Sequence, residues 1–284
     1  MTDDEHLRRE LAASPRRVLD EVTSIVSQAS AAILTFAPAT AARRVKPDRS
    51  LVSAADEAAE SLIGTALARL MPGVPIISEE APAAHAPPGK HFILVDPLDG
   101  TREFLAGSDE FTVNVAILVD GAPALGVVAA PALGQVWRGI IGTGAERLDL
   151  APGAAPAQAR AVTAVTPRHG STRLVAALSR SHLDERTAAF VAGLPRIERL
   201  ICGSSLKFCR LAEGSADLYP RLAPVREWDI AAGHAVLAAS GGTVTAPDGA
   251  ALTYGRATEG FLVPGFVAWG DPALAGQFGV SASR

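Results

Sequence analysis

The sequence predicts a layered sandwich, with an α+β first half and an α/β second half, on three observations. Residues 15–71 carry two segments with the period of about 3.6 residues that is typical of amphipathic helices. Residues 74–131 carry apolar runs of strand length that end in carboxylates or turn residues. Beyond a Pro/Ala-rich stretch at 151–161, helix-like and β-like segments alternate. This stretch predicts a boundary between a domain at 1–150 and a domain at 151–284.

Two helices are predicted before the first strand. The first covers Pro15–Phe36, with Ser14 at the N-cap position and a proline at the first helical position. The second covers Asp56–Met71 and is ended by Pro72-Gly73.

The next segments predict strands. "VPIISEE" (74–80) is a short strand that runs into carboxylates, and "HFILVDP" (91–97) is uniformly apolar, as in a strand covered on both faces. "FTVNVAILVDGAPALGVVAAP" (111–131) predicts a hairpin around Asp120-Gly121. In the second half, "STRLVAALSRS", "SLKFCRLAEG" and "WDIAAGHAVLAASGG" are helix-like, and "ADLYPRL" is β-like.

Composition excludes several classes of protein. A net charge of −4 and a pI near 5.9 argue against binding to a nucleic-acid polymer, although one small anion needs only a local positive site. The N-terminus lacks the apolar core of a secretory signal, and no apolar run reaches the length of a membrane span. Cys202 and Cys209 have no metal-type spacing, so we expect two buried thiols in a cytoplasmic protein.

Acidic residues gather where predicted strands end or helices begin, at Glu79-Glu80, at Asp96 and Asp99, and at Asp229. Mg²⁺ prefers carboxylate and carbonyl oxygens, so this distribution predicts a metal site. Two metals that share one phosphate are the usual arrangement for in-line attack of water on a phosphate ester.

The turn "DPLDGT" (96–101) adds the rest of that chemistry. Pro97 helps to turn the Leu98 carbonyl toward the aspartates, and the N–H groups of Gly100 and Thr101 could bind a phosphate oxygen. The hydroxyl of Thr101, held by Asp56, could hold the attacking water. The simple alternative for D-P-x-D-G alone is a surface turn.

Four motifs in order carry a resemblance along roughly Val18–Val263. "KPDRSLVSAAD" (46–56), "ISEE" (77–80), "DPLDGTREF" (96–104) and "EWDIAAG" (227–233) resemble the metal-dependent, lithium-sensitive phosphomonoesterases of the inositol monophosphatase superfamily. The resemblance implies alternating α-β-α-β-α layers.

The resemblance also implies residue roles. One Mg²⁺ is expected at Glu79, Asp96 and the Leu98 carbonyl, and a second at Asp96, Asp99 and Asp229. Two catalytic roles are implied: Asp56 with Thr101 as the water-activating pair, and Glu80 as an acidic neighbour that reaches a third, weaker metal through water. The expected substrate contacts among these residues are Glu79, Leu98, Asp99, Gly100, Thr101 and Asp229.

Two longer stretches resemble the bacterial 3′(2′),5′-bisphosphate nucleotidases of sulfate assimilation. They contain "DGTREF" and "GSSLKF…YPRLAPVREWD". This branch converts adenosine 3′,5′-bisphosphate to AMP and phosphate. Ser205, Lys207 and Arg221 are then expected to bind substrate, with the Arg221 guanidinium suited to a second phosphate. An Arg221 that lies along the surface and a "GSS" that serves only as a helix N-cap stay open as alternatives.

Other functions stay open at this point. The rivals are a phosphatase for inositol, histidinol or fructose phosphates and a regulator that binds a phosphorylated metabolite without hydrolysing it. We expect a small phosphorylated partner and no integral membrane segment. A homodimer and peripheral attachment to the cytoplasmic side of the inner membrane are left open.

Overall fold

The computed structural model describes residue 11 and residues 13–38, 43–45, 51–81, 88–170, 173–181 and 183–278. Residues 46–50 of the first motif therefore lie outside the described part. The helices are α1 (Pro15–Leu34), α2 (Ala54–Leu70), α3 (Thr101–Leu105), α4 (Glu185–Ala192), α5 (Leu206–Ala212), α6 (Glu227–Ser240) and α7 (Pro272–Phe278). The strands are β1 (Arg43–Val45), β2 (Leu51–Ser53), β3 (Ile76–Ser78), β4 (His91–Asp99), β5 (Thr112–Val119), β6 (Ala122–Ala130), β7 (Gln135–Ile140), β8 (Gly144–Asp149), β9 (Ala161–Ala164), β10 (Leu174–Ser179), β11 (Ile197–Cys202), β12 (Leu218–Arg221), β13 (Val225–Arg226), β14 (Thr243–Thr245), β15 (Leu262–Val263) and β16 (Phe266–Trp269).

Both predicted N-terminal helices are present, with different caps. Ser14 occupies the N-cap position of α1, but its side chain makes no capping hydrogen bond. Helix α2 begins two residues before the predicted start, because Ser53 caps it in a reciprocal arrangement with Asp56. The capping box places Asp56 in the first turn of α2, so this buried carboxylate has a fixed position.

A seven-stranded sheet, in the order β3-β4-β5-β6-β7-β8-β9, forms the first β layer. Strands β3 and β4 are parallel and the remaining pairs are antiparallel. Along β4, Ile93 and Val95 pack with α1 and α2, whereas Phe92 and Leu94 pack on the opposite face. Both faces are covered, which explains the continuous apolar run of "HFILVDP".

The second β layer is a five-stranded sheet in the order β11-β10-β12-β16-β14. The helix predicted for "STRLVAALSRS" is wrong, because its described residues 174–179 form β10, parallel to β11 and β12. Leu174, Ala176 and Leu178 face one core cluster and Ala177 faces another, which is the alternation of a strand. Pairing with residues distant in sequence overrides the local helix propensity of the alanines.

The predicted α-β-α-β-α layering is confirmed by the three core clusters. One cluster joins α1 and α2 to the first sheet, a second joins both sheets to α5 and α6, and a third joins the second sheet to α4 and α7. Helix α6 approaches the first sheet closely at Gly126, where a side chain would collide with the Ala232 carbonyl.

The Pro/Ala-rich stretch connects two neighbouring strands of the first sheet, since Asp149 of β8 pairs with Ala161 of β9. Strand pairing therefore continues past residue 150, and the domain division at 150/151 stays a prediction. Within the described ranges, no helix is both long and apolar enough to cross a lipid bilayer.

Candidate active site

An open cavity of about 260 Å³ lies where the end of β4 meets α3, α5, β12 and the start of α6. It receives residues from both halves of the chain. Ten of the residues expected at the site line it: Glu79, Asp96, Leu98, Asp99, Gly100, Thr101, Ser205, Lys207, Arg221 and Asp229.

Three carboxylates converge in this cavity. Oxygen atoms of Glu79, Asp96 and Asp229 all lie within 4.8 Å of one another. Glu79 follows β3, Asp96 lies within β4, and Asp229 lies in the first turn of α6. Parallel pairing of β3 with β4 and the packing of α6 on this sheet bring together residues that are far apart in sequence.

Like charges and burial shape the electrostatics of this group. Burial, followed by the charges of Glu79, Asp99 and Asp229, raises the pKa of Asp96 well above its usual range. Burial and the charges of Asp99 and Glu79 likewise raise the pKa of Asp229, against the opposing charge of Arg221. The cluster is therefore unfavourable as a set of bare anions, and a cation would relieve the repulsion.

Asp96 itself has one oxygen engaged and one without a hydrogen bond. Its Oδ1 accepts from the Leu98 N–H at 3.1 Å, whereas its Oδ2 is buried and has no hydrogen-bond partner among the described residues. A buried carboxylate oxygen normally has a hydrogen-bond donor or a cation as its partner. The residues present thus fit a divalent cation bound by oxygen ligands.

Asp99, at the end of β4, is held from the second half of the chain. Its Oδ2 accepts from the Ser205 N–H at 2.6 Å, and its backbone carbonyl accepts from the Ser204 hydroxyl at 2.8 Å. Burial raises the pKa of Asp99, opposed by the charge of Lys207 and the Ser205 amide. Asp99 borders the three-carboxylate group without belonging to it.

Asp56 and Thr101 are in direct contact. The Thr101 hydroxyl donates to Asp56 Oδ1 at 3.0 Å, while Asp56 Oδ2 accepts from the Ser53 N–H and hydroxyl at 2.8 and 2.5 Å. Burial raises the pKa of Asp56, although the bonds from Ser53 and Thr101 act in the opposite direction. The geometry of this pair allows Thr101 to accept a hydrogen bond from a water in the cavity.

Gly100 is required by its backbone. Its φ of +94° lies in the left-handed region, and a side chain there would collide with the Ser204 hydroxyl. This conformation begins α3 directly after Asp99, so that Gly100 and Thr101 line the cavity. The Leu98 carbonyl, which accepts from Thr101 at 3.3 Å, lies beside them.

Three cations share the cavity with the carboxylates. Lys207 is buried, donates to the Ser204 carbonyl at 2.6 Å and lies over the Tyr219 ring. Arg221 is half-buried in the cavity lining, where its charge acts on Asp99 and Asp229. Arg102, which follows Thr101 in α3, is exposed at the cavity.

Asp56 and Glu80 are the two expected residues outside the cavity lining, and Asp56 reaches the cavity through Thr101. Glu80 lies beside Glu79 in the turn after β3, outside both the cavity lining and the three-carboxylate group. Ser205 lies at the N-cap position of α5 and lines the cavity, but its hydroxyl makes no cap and donates instead to Asn114 Oδ1 at 2.6 Å.

Thr112 and Asn114, both buried next to Ser205, were missed by the sequence reasoning. The signal was present in "FTVNVAIL", where two polar residues two positions apart interrupt an apolar strand. Arg102 and Glu103 also line the cavity, and the sequence marked them only as part of the "REF" resemblance.

Comparisons with known proteins agree with this geometry. A family model described as "Inositol monophosphatase family" matches residues 15–269. The chain is 39% identical over 258 residues to the 3′(2′),5′-bisphosphate nucleotidase CysQ of Escherichia coli K12, which covers 88% of this chain and 98% of that protein.

Two further matches bear on substrate and fold. The chain is 35% identical over 223 residues to a histidinol-phosphatase of Mycobacterium tuberculosis, covering 76% of this chain and 83% of that protein. Its structure matches that of CysQ from Bacteroides thetaiotaomicron, a bacterial member of the inositol monophosphatase family. The TM-score is 0.74 and the identity 31%, covering 88% of this chain and 95% of that one.

Proposed function

The chain belongs to the inositol monophosphatase family, and on that premise we propose that it is a Mg²⁺-dependent 3′(2′),5′-bisphosphate nucleotidase. It hydrolyses adenosine 3′,5′-bisphosphate to AMP and phosphate. The observation that carries the proposal is a single cavity lined by five carboxylates, three of them in close contact, and by three cations. The carboxylates suit a metal, and the cations suit a substrate that carries two phosphates.

The metal ligands proposed are those of the carboxylate group and its neighbours. Glu79, Asp96 and the Leu98 carbonyl would hold one Mg²⁺, and Asp96, Asp99 and Asp229 a second. The unpartnered Oδ2 of Asp96 supports the role of this residue as a shared ligand. Glu80, which lies outside the cavity, is proposed to reach a third and weaker site only through water.

When bound there, Mg²⁺ supplies positive charge to the phosphate oxygens and makes a nearby water more acidic. The protein's own contribution to water activation is the Thr101–Asp56 pair. Thr101 accepts a hydrogen bond from the water and passes its own proton toward Asp56, whose pKa burial raises. The water oxygen attacks phosphorus, the bond from phosphorus to the 3′ oxygen breaks, and this oxygen takes a proton from solvent as AMP leaves.

The second phosphate of the substrate distinguishes this function from its rivals. We assign it to the cations of the cavity, with Arg221 and the exposed Arg102 as its partners and Lys207 and Ser205 close to the reacting phosphate. Histidinol phosphate carries an ammonium group in place of a second phosphate, so it offers Arg221 and Arg102 no anionic partner. Inositol 1-phosphate has hydroxyls in place of the second phosphate and would leave these cations without an anionic partner.

A substrate panel tests the proposal. Phosphate release is measured with Mg²⁺ on adenosine 3′,5′-bisphosphate, inositol 1-phosphate, histidinol phosphate and fructose 1,6-bisphosphate, with and without Li⁺. We expect the highest kcat/KM for the adenosine bisphosphate and inhibition by millimolar Li⁺, as the family resemblance implies.

Asp229→Asn is the matched control in this panel, because it removes one charge of the carboxylate group without removing bulk. Its loss of turnover excludes a contaminating phosphatase, whereas unchanged turnover would contradict the metal mechanism. Preference for histidinol phosphate or inositol 1-phosphate would overturn the substrate assignment. A cytoplasmic location and a homodimer stay predictions for fractionation and sedimentation experiments.

A further inference from the structure

Asp99, one of the proposed metal ligands, is tied to a buried polar network that reaches from the cavity into the sheet. Its Oδ2 accepts the Ser205 N–H at 2.6 Å, and Thr112 Oγ1 lies 3.5 Å from the same oxygen. Among the described residues, the contacts of Asp99 in this network are made by Oδ2 and not by Oδ1. One oxygen of Asp99 is therefore fixed by the protein while the other can face the cavity.

Sheet register places two polar residues of β5 opposite the aspartates of β4. Thr112 pairs with Asp99 and Asn114 pairs with Asp96, on either side of an irregularity in the ladder. Because Thr112 and Asn114 are two positions apart on one strand, their side chains lie on the same face of the sheet. Both are fully buried.

These two side chains hold Ser205 in turn. The Ser205 hydroxyl donates to Asn114 Oδ1 at 2.6 Å and lies 2.9 Å from Thr112 Oγ1, and the Asn114 amide reaches Thr112 at 3.4 Å. Each partner is nearly inaccessible to water, so loss of one hydroxyl would leave another buried group without its hydrogen bond.

The turn that carries Ser205 is itself conformationally constrained. Ser204 has a positive φ of 51°, which is unusual for a residue other than glycine, and its hydroxyl donates to the Asp99 carbonyl. A strained residue persists where its surroundings determine its conformation. The β5 pair and the Ser204 turn thus fix Asp99 through both its side chain and its backbone.

We propose that Thr112 and Asn114 are positioning residues that, through Ser205, set the orientation of the Asp99 carboxylate for a divalent cation. Groups that hydrogen-bond to metal ligands commonly change metal affinity by about ten- to a hundredfold when they are removed. This inference rests on the metal site of the proposed function, but it does not depend on which phosphate ester is hydrolysed.

The test uses the metal alone as its probe. Mn²⁺ and Mg²⁺ binding is measured by titration calorimetry on the full chain, for wild type, Thr112→Val and Asn114→Leu, with thermal unfolding followed in parallel. We expect the dissociation constant of the weaker-bound cation to rise about tenfold or more in both variants. Thr112→Ser, which keeps the hydroxyl, is expected to retain the wild-type constant.

Thr23→Val is the matched control, because Thr23 is a buried threonine on α1 whose hydroxyl bonds to the Leu19 carbonyl. It should lower thermal stability without changing cation affinity. Wild-type affinity in Thr112→Val, or an equal loss in Thr23→Val, would overturn the inference. If Asn114→Leu does not fold, the comparison of cation affinity between Thr112→Val and Thr112→Ser tests the inference by itself. A wild type that binds no cation would contradict the proposed metal site itself.

Discussion

The Thr101 hydroxyl lies 3.0 Å from Asp56 Oδ1, so that a residue of the "DGT" turn is hydrogen-bonded to the first turn of a helix 45 residues earlier in the chain. The second oxygen of Asp56 is occupied by the capping bonds from Ser53. The same carboxylate therefore completes a helix and orients a hydroxyl toward the cavity. This double use explains why its rotamer is defined before any substrate binds.

Removing the Thr101 hydroxyl should slow the chemical step. We expect Thr101→Val to lower kcat by on the order of 10²–10⁴ because the water loses its orienting group, and Thr101→Ser to retain most of the rate. Thr35→Val changes an exposed threonine at the end of α1 and should leave kcat unchanged. Steady-state phosphate release with thermal unfolding as the folding check measures this, and a Thr101→Val rate within threefold of wild type would contradict the role.

Neutralising Asp96 should stabilise the metal-free protein while it abolishes activity. Burial and four neighbouring carboxylates oppose the charge of Asp96, so Asp96→Asn removes repulsion from the folded state. We expect the free energy of unfolding in a chelator to rise by about 1–2 kcal/mol, or roughly 2–3 °C in Tm for a chain of this length. Added Mg²⁺ should raise the Tm of wild type but not of Asp96→Asn. The exposed Asp248→Asn is the control, and a lower Tm for metal-free Asp96→Asn would contradict the electrostatic argument.

The same raised pKa values determine how stability depends on pH. Asp96 and Asp229 keep their protons in the folded state at pH values where the unfolded chain has released them. In a chelator, these two groups therefore make their full contribution to the free energy of unfolding below pH 3.8, the ordinary pKa of an aspartate. The contribution is lost as pH rises through their raised pKa in the folded state. The free energy of unfolding, measured in urea at successive pH values, should decline less with rising pH in Asp96→Asn than in wild type.

The carboxylate group illustrates what the sequence could predict. Glu79, Asp96 and Asp229 were expected together from motif order and from the family resemblance, because each follows a recognisable strand end or helix start. The strand at 174–179 was not predicted, because its alanines favour a helix locally and only pairing with β11 and β12 makes it a strand.

Hydrogen bonds between segments that are distant in sequence are a second feature of the site that could not be predicted from the sequence. Thr112 and Asn114 acquire their meaning from the β4–β5 register and from the turn before α5, neither of which has a local signature. Arg221 was predicted at the site with a surface position as the alternative, and its burial beside Asp99 and Asp229 depends on how β12 meets α6.

A half-buried histidine of α6, His234, should make the protein less stable in acid. Burial lowers the pKa of His234 from 6.5 to about 4, and its Nδ1 lies 2.8 Å from the Tyr254 hydroxyl. As pH falls, the unfolded chain takes up a proton at this histidine before the folded protein does. The free energy of unfolding is therefore highest above pH 6.5 and decreases as pH drops toward 4. The loss amounts to up to about 3 kcal/mol.

Urea unfolding at pH 7.5 and 5 in saturating Mg²⁺ isolates this effect from the carboxylates. His234→Gln should reduce the difference between the two pH values, whereas His169→Gln, at a histidine that is 57% exposed, should not. An unchanged difference in His234→Gln would mean that other groups cause the acid sensitivity.

Arg102 offers the sharpest test of the second phosphate, because it is exposed at the cavity and its removal should not disturb the core. A charge-assisted hydrogen bond contributes about 1.5–3 kcal/mol. Arg102→Gln should therefore lower kcat/KM for adenosine 3′,5′-bisphosphate about tenfold or more, since each 1.4 kcal/mol is about a factor of ten. On adenosine 3′-monophosphate, which lacks the second phosphate, kcat/KM should stay at the wild-type value.

Arg199→Gln, at an exposed arginine of β11, is the control for a general change in surface charge. An equal loss on both nucleotides would place Arg102 at the reacting phosphate instead and would leave Arg221 as the partner of the second one.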